Sequence, residues 1–234
     1  MEELDRGSEK GKEIFVSGVM FVAAVLLWDT FLLYPVKLFV VALHELSHGL
    51  MAIVVGGKID RIQIDYRIGG YCAYFLPAAA GFISKSLVAA AGYLGSMVWG
   101  ALIFILASRT RRDRLITLVI GFIMLVLSIF VIKTGELFGI LFCFAFAVLL
   151  FASYKWLPQG FHDYFLKFLG LTSCLYVLID IKEDLIDRSG IGSDADSIAE
   201  LLGAPFLSVP IGITWVILAL AALFYTIKIS YKKN

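Results

Sequence analysis

The chain has 234 residues, of which 60% are hydrophobic and 17% charged, with a formal net charge of +1. A soluble domain carries charge on about a quarter of its residues, so this composition argues against that class and for a polytopic membrane protein. The near-neutral balance, without a basic tract, argues against nucleic acid as a partner. Three scattered cysteines (Cys72, Cys143 and Cys174) fit neither a disulfide framework nor a cysteine-built zinc site.

Backbone polar groups in lipid must be satisfied within the segment, which favours helices across the bilayer. The expected fold is all-α and polytopic, with about six to seven transmembrane helices. The N-terminus, Met1 to Asp5, is acidic and lacks the basic start of a cleaved signal, so the first apolar span is expected to be retained. That span reads from about Ile14 to Leu33, with Asp29 near its end. Pro35 separates it from a second span, about Val36 to Val55, which Gly56-Gly57 stops.

The period then changes. Ile62 to Tyr66 alternate apolar and polar residues, Gly69-Gly70 reads as a turn, and Tyr71 to Phe75 as a returning strand. This is a small membrane-associated β-hairpin, and its edge cannot lie bare in lipid. A third span, about Ser84 to Ala107, carries a stripe of small residues, Ala89, Gly92, Ser96 and Gly100, suited to close helix packing. One partner for the stripe is the helix of the second span. Arg109, Arg111, Arg112 and Arg114 form a basic loop. Spans of about Leu115–Ile132 and Leu137–Tyr154 follow, whose hydroxyls (Thr117, Ser128, Ser153) read as lipid-facing.

A sixth span, about Tyr164 to Ile181, leads to an acidic stretch, Asp184 to Glu200. A short helix is expected from Ser193 to Leu202, and a last span from about Pro210 to Ile229, before Lys232 and Lys233. His162 and Asp163 read as a solvated loop, and Trp28, Trp99, Trp156 and Trp215 as interfacial anchors. Basic residues mark the inner side, so the arginine loop and lysine tail count as inside and the N-terminus as outside. The whole is expected to be one integral membrane domain, residues 1–234. It comprises a 36–107 part with the hairpin, supporting helices in 108–160, and an acidic segment with C-terminal helices in 161–234.

The second span contains His44-Glu45-Leu46-Ser47-His48. Two histidines four apart stack on one helix face and can reach one metal ion, with the glutamate close enough to take a proton from water there. Ionisable groups at membrane depth are costly and point to a functional site. A catalytic zinc takes three protein ligands and keeps a position for water, whose pKa it lowers to about 7. His162 is the only other histidine, but a carboxylate is the more plausible third ligand. Asp180, Asp184, Asp194 and Asp196 are the candidates.

These motifs, with Gly49, Gly56-Gly57, the strand pair, Ala91-Gly92-Tyr93-Leu94-Gly95-Ser96 and Ser193-Asp194-Ala195-Asp196, resemble the M50B-like branch of the site-2 protease metallopeptidases. The resemblance implies a zinc-dependent intramembrane protease cutting membrane-protein substrates, with His44 and His48 as ligands and Glu45 as the catalytic base. Typical relatives take the third ligand from a Leu-Asp-Gly motif, which this chain lacks. Asp194 is the counterpart in order and Asp180 the second choice. Tyr93 stands where many relatives carry proline. Multi-pass integration is expected, in the cell membrane if the source is prokaryotic. The alternative is an inactive scaffold, or a metal or ion carrier, that keeps the metal site.

Overall fold

The computed structural model describes residues 2–183 and 192–232, with side chains from residue 11 onward. It contains eight helices and one hairpin among those residues, in the order α1 Glu2–Leu26, α2 Tyr34–Val54, β1 Lys58–Ile64, β2 Gly70–Phe75, α3 Phe82–Arg109, α4 Asp113–Ile132, α5 Leu137–Trp156, α6 Gln159–Lys182, α7 Asp194–Leu201 and α8 Ser208–Ser230. Six helices, α2 to α6 and α8 with its leading turn, are long and apolar enough to cross a bilayer. The protein is an integral, multi-pass, all-α membrane protein with a small antiparallel hairpin after α2.

Local sequence sets most boundaries. Pro35 lies in the first turn of α2, where its missing N–H costs nothing. Gly56 takes φ +89, a conformation that suits glycine, and the Gly57 N–H donates back to the Ala52 carbonyl to close the helix. The hairpin pairs Ile62 with Cys72 and Ile64 with Gly70, with a bulge between Ile59 and Arg61. The bulge shifts the side-chain parity, so Ile59, Ile62 and Ile64 all face the interior. Its loop is an Asx turn in which the Arg67 N–H donates to the Asp65 carboxylate at 2.6 Å. Ile68 follows at φ +63, an unfavourable conformation for a β-branched residue.

The stripe on α3 serves two neighbours. Gly92 lies against α2, whereas Gly100 abuts Gly170 on α6, where a Cβ on either glycine would collide with the other's backbone oxygen. The main core joins α2, β1, α4, α5 and α6 around buried Phe39, Ile62, Met124, Leu127 and Leu169.

Five expectations are corrected. The first helix ends at Leu26 rather than Leu33: residues 27–33 form turns, one closed by the Thr30 hydroxyl donating to the Leu27 carbonyl. Helix α6 begins at Gln159, because Pro158 is its N-cap residue, so His162 is helical and fully buried rather than solvated. Thr117 turns inward to meet it. Only Trp156 is the exposed tryptophan at a helix end: Trp28 and Trp215 are buried, and Trp99 donates from mid-helix to the Ser47 hydroxyl.

The fifth correction concerns the count of crossings. Ser17 of α1 bonds Tyr231 at 2.6 Å, and Arg109 donates to the Ile229 carbonyl, so the Ser17 end of α1 shares the arginine-loop end of the bundle. The parity fails at α2. Lys37 near its start shares a cavity with Glu183 at the far end of α6, and His48 near its end meets Val88 early in α3. Both ends of α2 therefore lie away from the arginine loop.

Candidate metal centre

The helical rise of α2 stacks His44 and His48, whose ring centroids lie 4.9 Å apart. The His48 Nδ1–H donates to the Val88 carbonyl of α3 at 2.7 Å. A carbonyl only accepts, so this bond places a proton on Nδ1 and turns Nε2 into the cavity, where in the neutral ring it presents its lone pair. Tyr93 of α3 meets the His44 ring edge-on at 5.2 Å, and in turn packs on Trp215 of α8.

Asp194 arrives from the other end of the chain. It is the first residue of α7, and two neighbours take over the capping that an aspartate there could perform. The Ser193 hydroxyl accepts from the Asp196 N–H, and the Asp196 carboxylate accepts from the Ser193 N–H, a reciprocal capping box. Ser208 at the start of α8 also donates to Asp196. Burial raises the Asp196 carboxyl, but these hydrogen bonds outweigh it and hold the group below the usual carboxylate range. Asp194 is thereby free to turn inward. Its carboxylate oxygens lie 3.4 Å from His44 Nε2 and 3.2 Å from His48 Nε2.

One ligand-type atom from each of His44, His48 and Asp194 falls within 4.8 Å of the others, the one such group among the described residues. The donor set suits zinc: two imidazole nitrogens and one carboxylate oxygen. Asp194 Oδ2 is buried with no hydrogen-bond partner, an orphaned acceptor aimed at the place a cation would take. Gly92 forms the floor. A Cβ there would strike His44 Nε2, His48 Nε2 and Asp194 Oδ2 together, so only glycine leaves room at the centre of the group.

Glu45 is buried on the adjoining side. The Cys72 backbone amide hydrogen-bonds its carboxylate, and Gly70 packs against its side chain. The outer edge of β2 thus faces the site. A cavity of about 340 Å³ joins His44, Glu45, His48, Asp194, Cys72 and Tyr74. Burial, then the Glu45 carboxylate beside it, pushes the Cys72 thiol up to about 12, which disfavours a thiolate role.

Asp180 lines the same cavity but stands outside the group of three. Asp196 is spent on capping, and Asp184 lies outside the described residues. His162 is remote, with its Nδ1 bonded to Thr117 and its Nε2 donating to the Ser153 carbonyl. The sequence reading missed the roles of Val88, Gly70 and Cys72. The first and third act through main-chain atoms, which leave no trace in residue type. The Gly69-Gly70 pair was visible, but only as a turn.

A model of the family described as Peptidase M50B-like matches residues 18–226. That span holds all three residues of the group, together with Glu45, Gly92 and the hairpin. A search of curated proteins and a search of solved structures each return no match.

Proposed function

The chain belongs to the Peptidase M50B-like family, and from that premise we propose that it is a zinc-dependent intramembrane protease that hydrolyses peptide bonds of membrane-protein substrates. The observation that carries the proposal is the convergence of His44 Nε2, His48 Nε2 and an orphaned Asp194 oxygen beside Glu45, in a polar cavity between apolar helices. His44, His48 and Asp194 would hold the metal, which supplies Lewis acidity and makes water a nucleophile near neutral pH.

The protein's own groups then have distinct tasks. Glu45 takes a proton from the attacking water as its oxygen forms a bond to the substrate carbonyl carbon. The same carboxyl returns the proton to the amine nitrogen as the C–N bond breaks. The Cys72 amide holds Glu45 in place for both transfers. Val88 keeps the His48 lone pair directed inward. A substrate helix must unwind first, because its carbonyls are already hydrogen-bonded. The outer edge of β2, at Gly70 to Cys72, lies where it can take up the unwound segment by strand addition.

The test is Glu45→Gln. Purified without chelators, the variant is expected to keep zinc, measured by elemental mass spectrometry, while cleavage of a co-expressed single-span membrane reporter falls by about 10²- to 10⁴-fold. Undiminished cleavage by the variant, or a parent protein without metal, would refute the enzyme. Zinc retained by a parent that cuts no reporter would favour the scaffold or carrier.

A further inference from the structure

A second cavity, separate from the metal site, lies between α3 and α4. It holds about 310 Å³ and is lined almost wholly by hydrocarbon. Helices α3 and α4 are consecutive, yet each packs chiefly elsewhere, α3 on α6 and α2, and α4 on α5. The two diverge from their short connection and leave a groove. Phe39 and Ile120 are buried in its floor, while Leu102 and Val119 are exposed at its rim, so it opens sideways towards the bilayer.

One end of the groove is cationic. Thr110 and Arg112, in the connection between the helices, close that end. Arg109 and Arg114 are engaged elsewhere, Arg109 donating to the Ile229 and Lys232 carbonyls and Arg114 to the Leu157 carbonyl, and the exposed Arg111 does not line the groove. No carboxylate neutralises Arg112, which is exposed and makes no ion pair among the described residues. The adjacent Asp113 is buried and accepts from the Gln159 side chain instead.

Length agrees with charge. From Trp99 at the far end to Thr110, α3 rises roughly 16 Å. That is about half of the ~30 Å hydrocarbon core, or one leaflet. An acyl chain lying in the groove would therefore place its headgroup at the level of Arg112.

We propose that the α3–α4 groove is a binding site for one anionic glycerophospholipid, with an acyl chain against Ile103 and Ile116 and the phosphate at Arg112. Bound there, the lipid fills the gap between two helices that scarcely touch and supports α2, whose Leu43 borders the groove one residue before His44.

The test uses the full chain, delipidated in detergent and titrated with phosphatidylglycerol, with phosphatidylcholine of the same chains, or with inorganic phosphate. Native mass spectrometry counts the retained lipid. One phosphatidylglycerol is expected per chain, held about fivefold more tightly than phosphatidylcholine. Arg112→Gln should abolish that preference, Arg111→Gln should keep it, and Val119→Trp should block both lipids by filling the groove. Helical circular dichroism and a monodisperse elution peak identify the variants that have folded. Equal retention of the two lipids by the parent, equal effects of the two arginine variants, or lipid retention untouched by Val119→Trp would overturn the proposal. So would a photocrosslinker at Leu106 that captures a protein helix rather than lipid.

Discussion

Two histidines are buried deep in this bundle at opposite ends of it, His48 in the candidate metal centre and His162 between α4, α5 and α6, and only one of them is available to a metal. His162 has both ring nitrogens engaged, Nδ1 by the Thr117 hydroxyl and Nε2 by the Ser153 carbonyl. His48 has Nδ1 engaged by Val88, and its Nε2 faces Asp194 and the cavity. Burial alone does not distinguish a structural imidazole from a ligand. What distinguishes them is whether the neighbours use both nitrogens or leave one lone pair aimed at other donors.

The largest effect expected from this contrast is at the shared floor of the site. Gly92→Ala places a methyl group where the three donor atoms meet, and should remove zinc almost completely and cleavage with it. Asp194→Ala should also empty the site, whereas Asp180→Ala should leave zinc content near the parent's. Elemental analysis reads all three, and normal zinc in Gly92→Ala would show that the donors do not converge around one ion.

The other half of the contrast is tested by His162→Leu. The change removes two buried hydrogen bonds of the ring, to the Thr117 hydroxyl and to the Ser153 carbonyl, so stability should fall by about 2 kcal/mol, while the zinc content per folded chain stays unchanged. Loss of zinc without loss of stability would reverse the roles given to the two histidines. A chemical probe can sharpen the picture of the cavity. With the Cys72 thiol raised to about 12, little thiolate exists at neutral pH. Iodoacetamide should therefore modify it more than about a hundredfold slower than an ordinary thiol, followed by mass spectrometry.

The smallest expected effect is at the α7 cap. Asp196→Ala should cost about 1 kcal/mol by loss of the capping box. Because the carboxyl is held below its unfolded value, its contribution is complete above about pH 4 and fades as the pH falls further. Melting curves of parent and variant should accordingly converge in acid. A difference that persists there would mean that Asp196 acts as a packing group rather than as a charged cap.

Much of this architecture was legible without coordinates because it depends on short-range order. Apolar runs of bilayer length, the four-residue spacing of His44 and His48, and the alternation before Gly69-Gly70 each declare themselves within about twenty residues. Errors arose where a boundary or a neighbour decided the outcome. Pro158 reads equally as a loop residue or as a helix start, and the choice moves His162 from solvent to core. Trp99 and Trp215 lie in helices whose facing partners, Ser47 and Tyr93, cannot be named from composition.

By itself, then, the amino-acid order determined a multi-helical membrane chain with one helix presenting two imidazoles and a carboxylate, because helix periodicity is a local property. Which acid meets those imidazoles was left to tertiary packing. Four aspartates were chemically eligible, and α7 carries Asp194 to a helix about 150 positions earlier in the chain only because Ser193 and Asp196 satisfy its first turn and glycine at position 92 leaves the space. The same holds for the α3–α4 groove, since its apolar walls are written in the sequence but the separation between them follows from the other helices that α3 and α4 pack against.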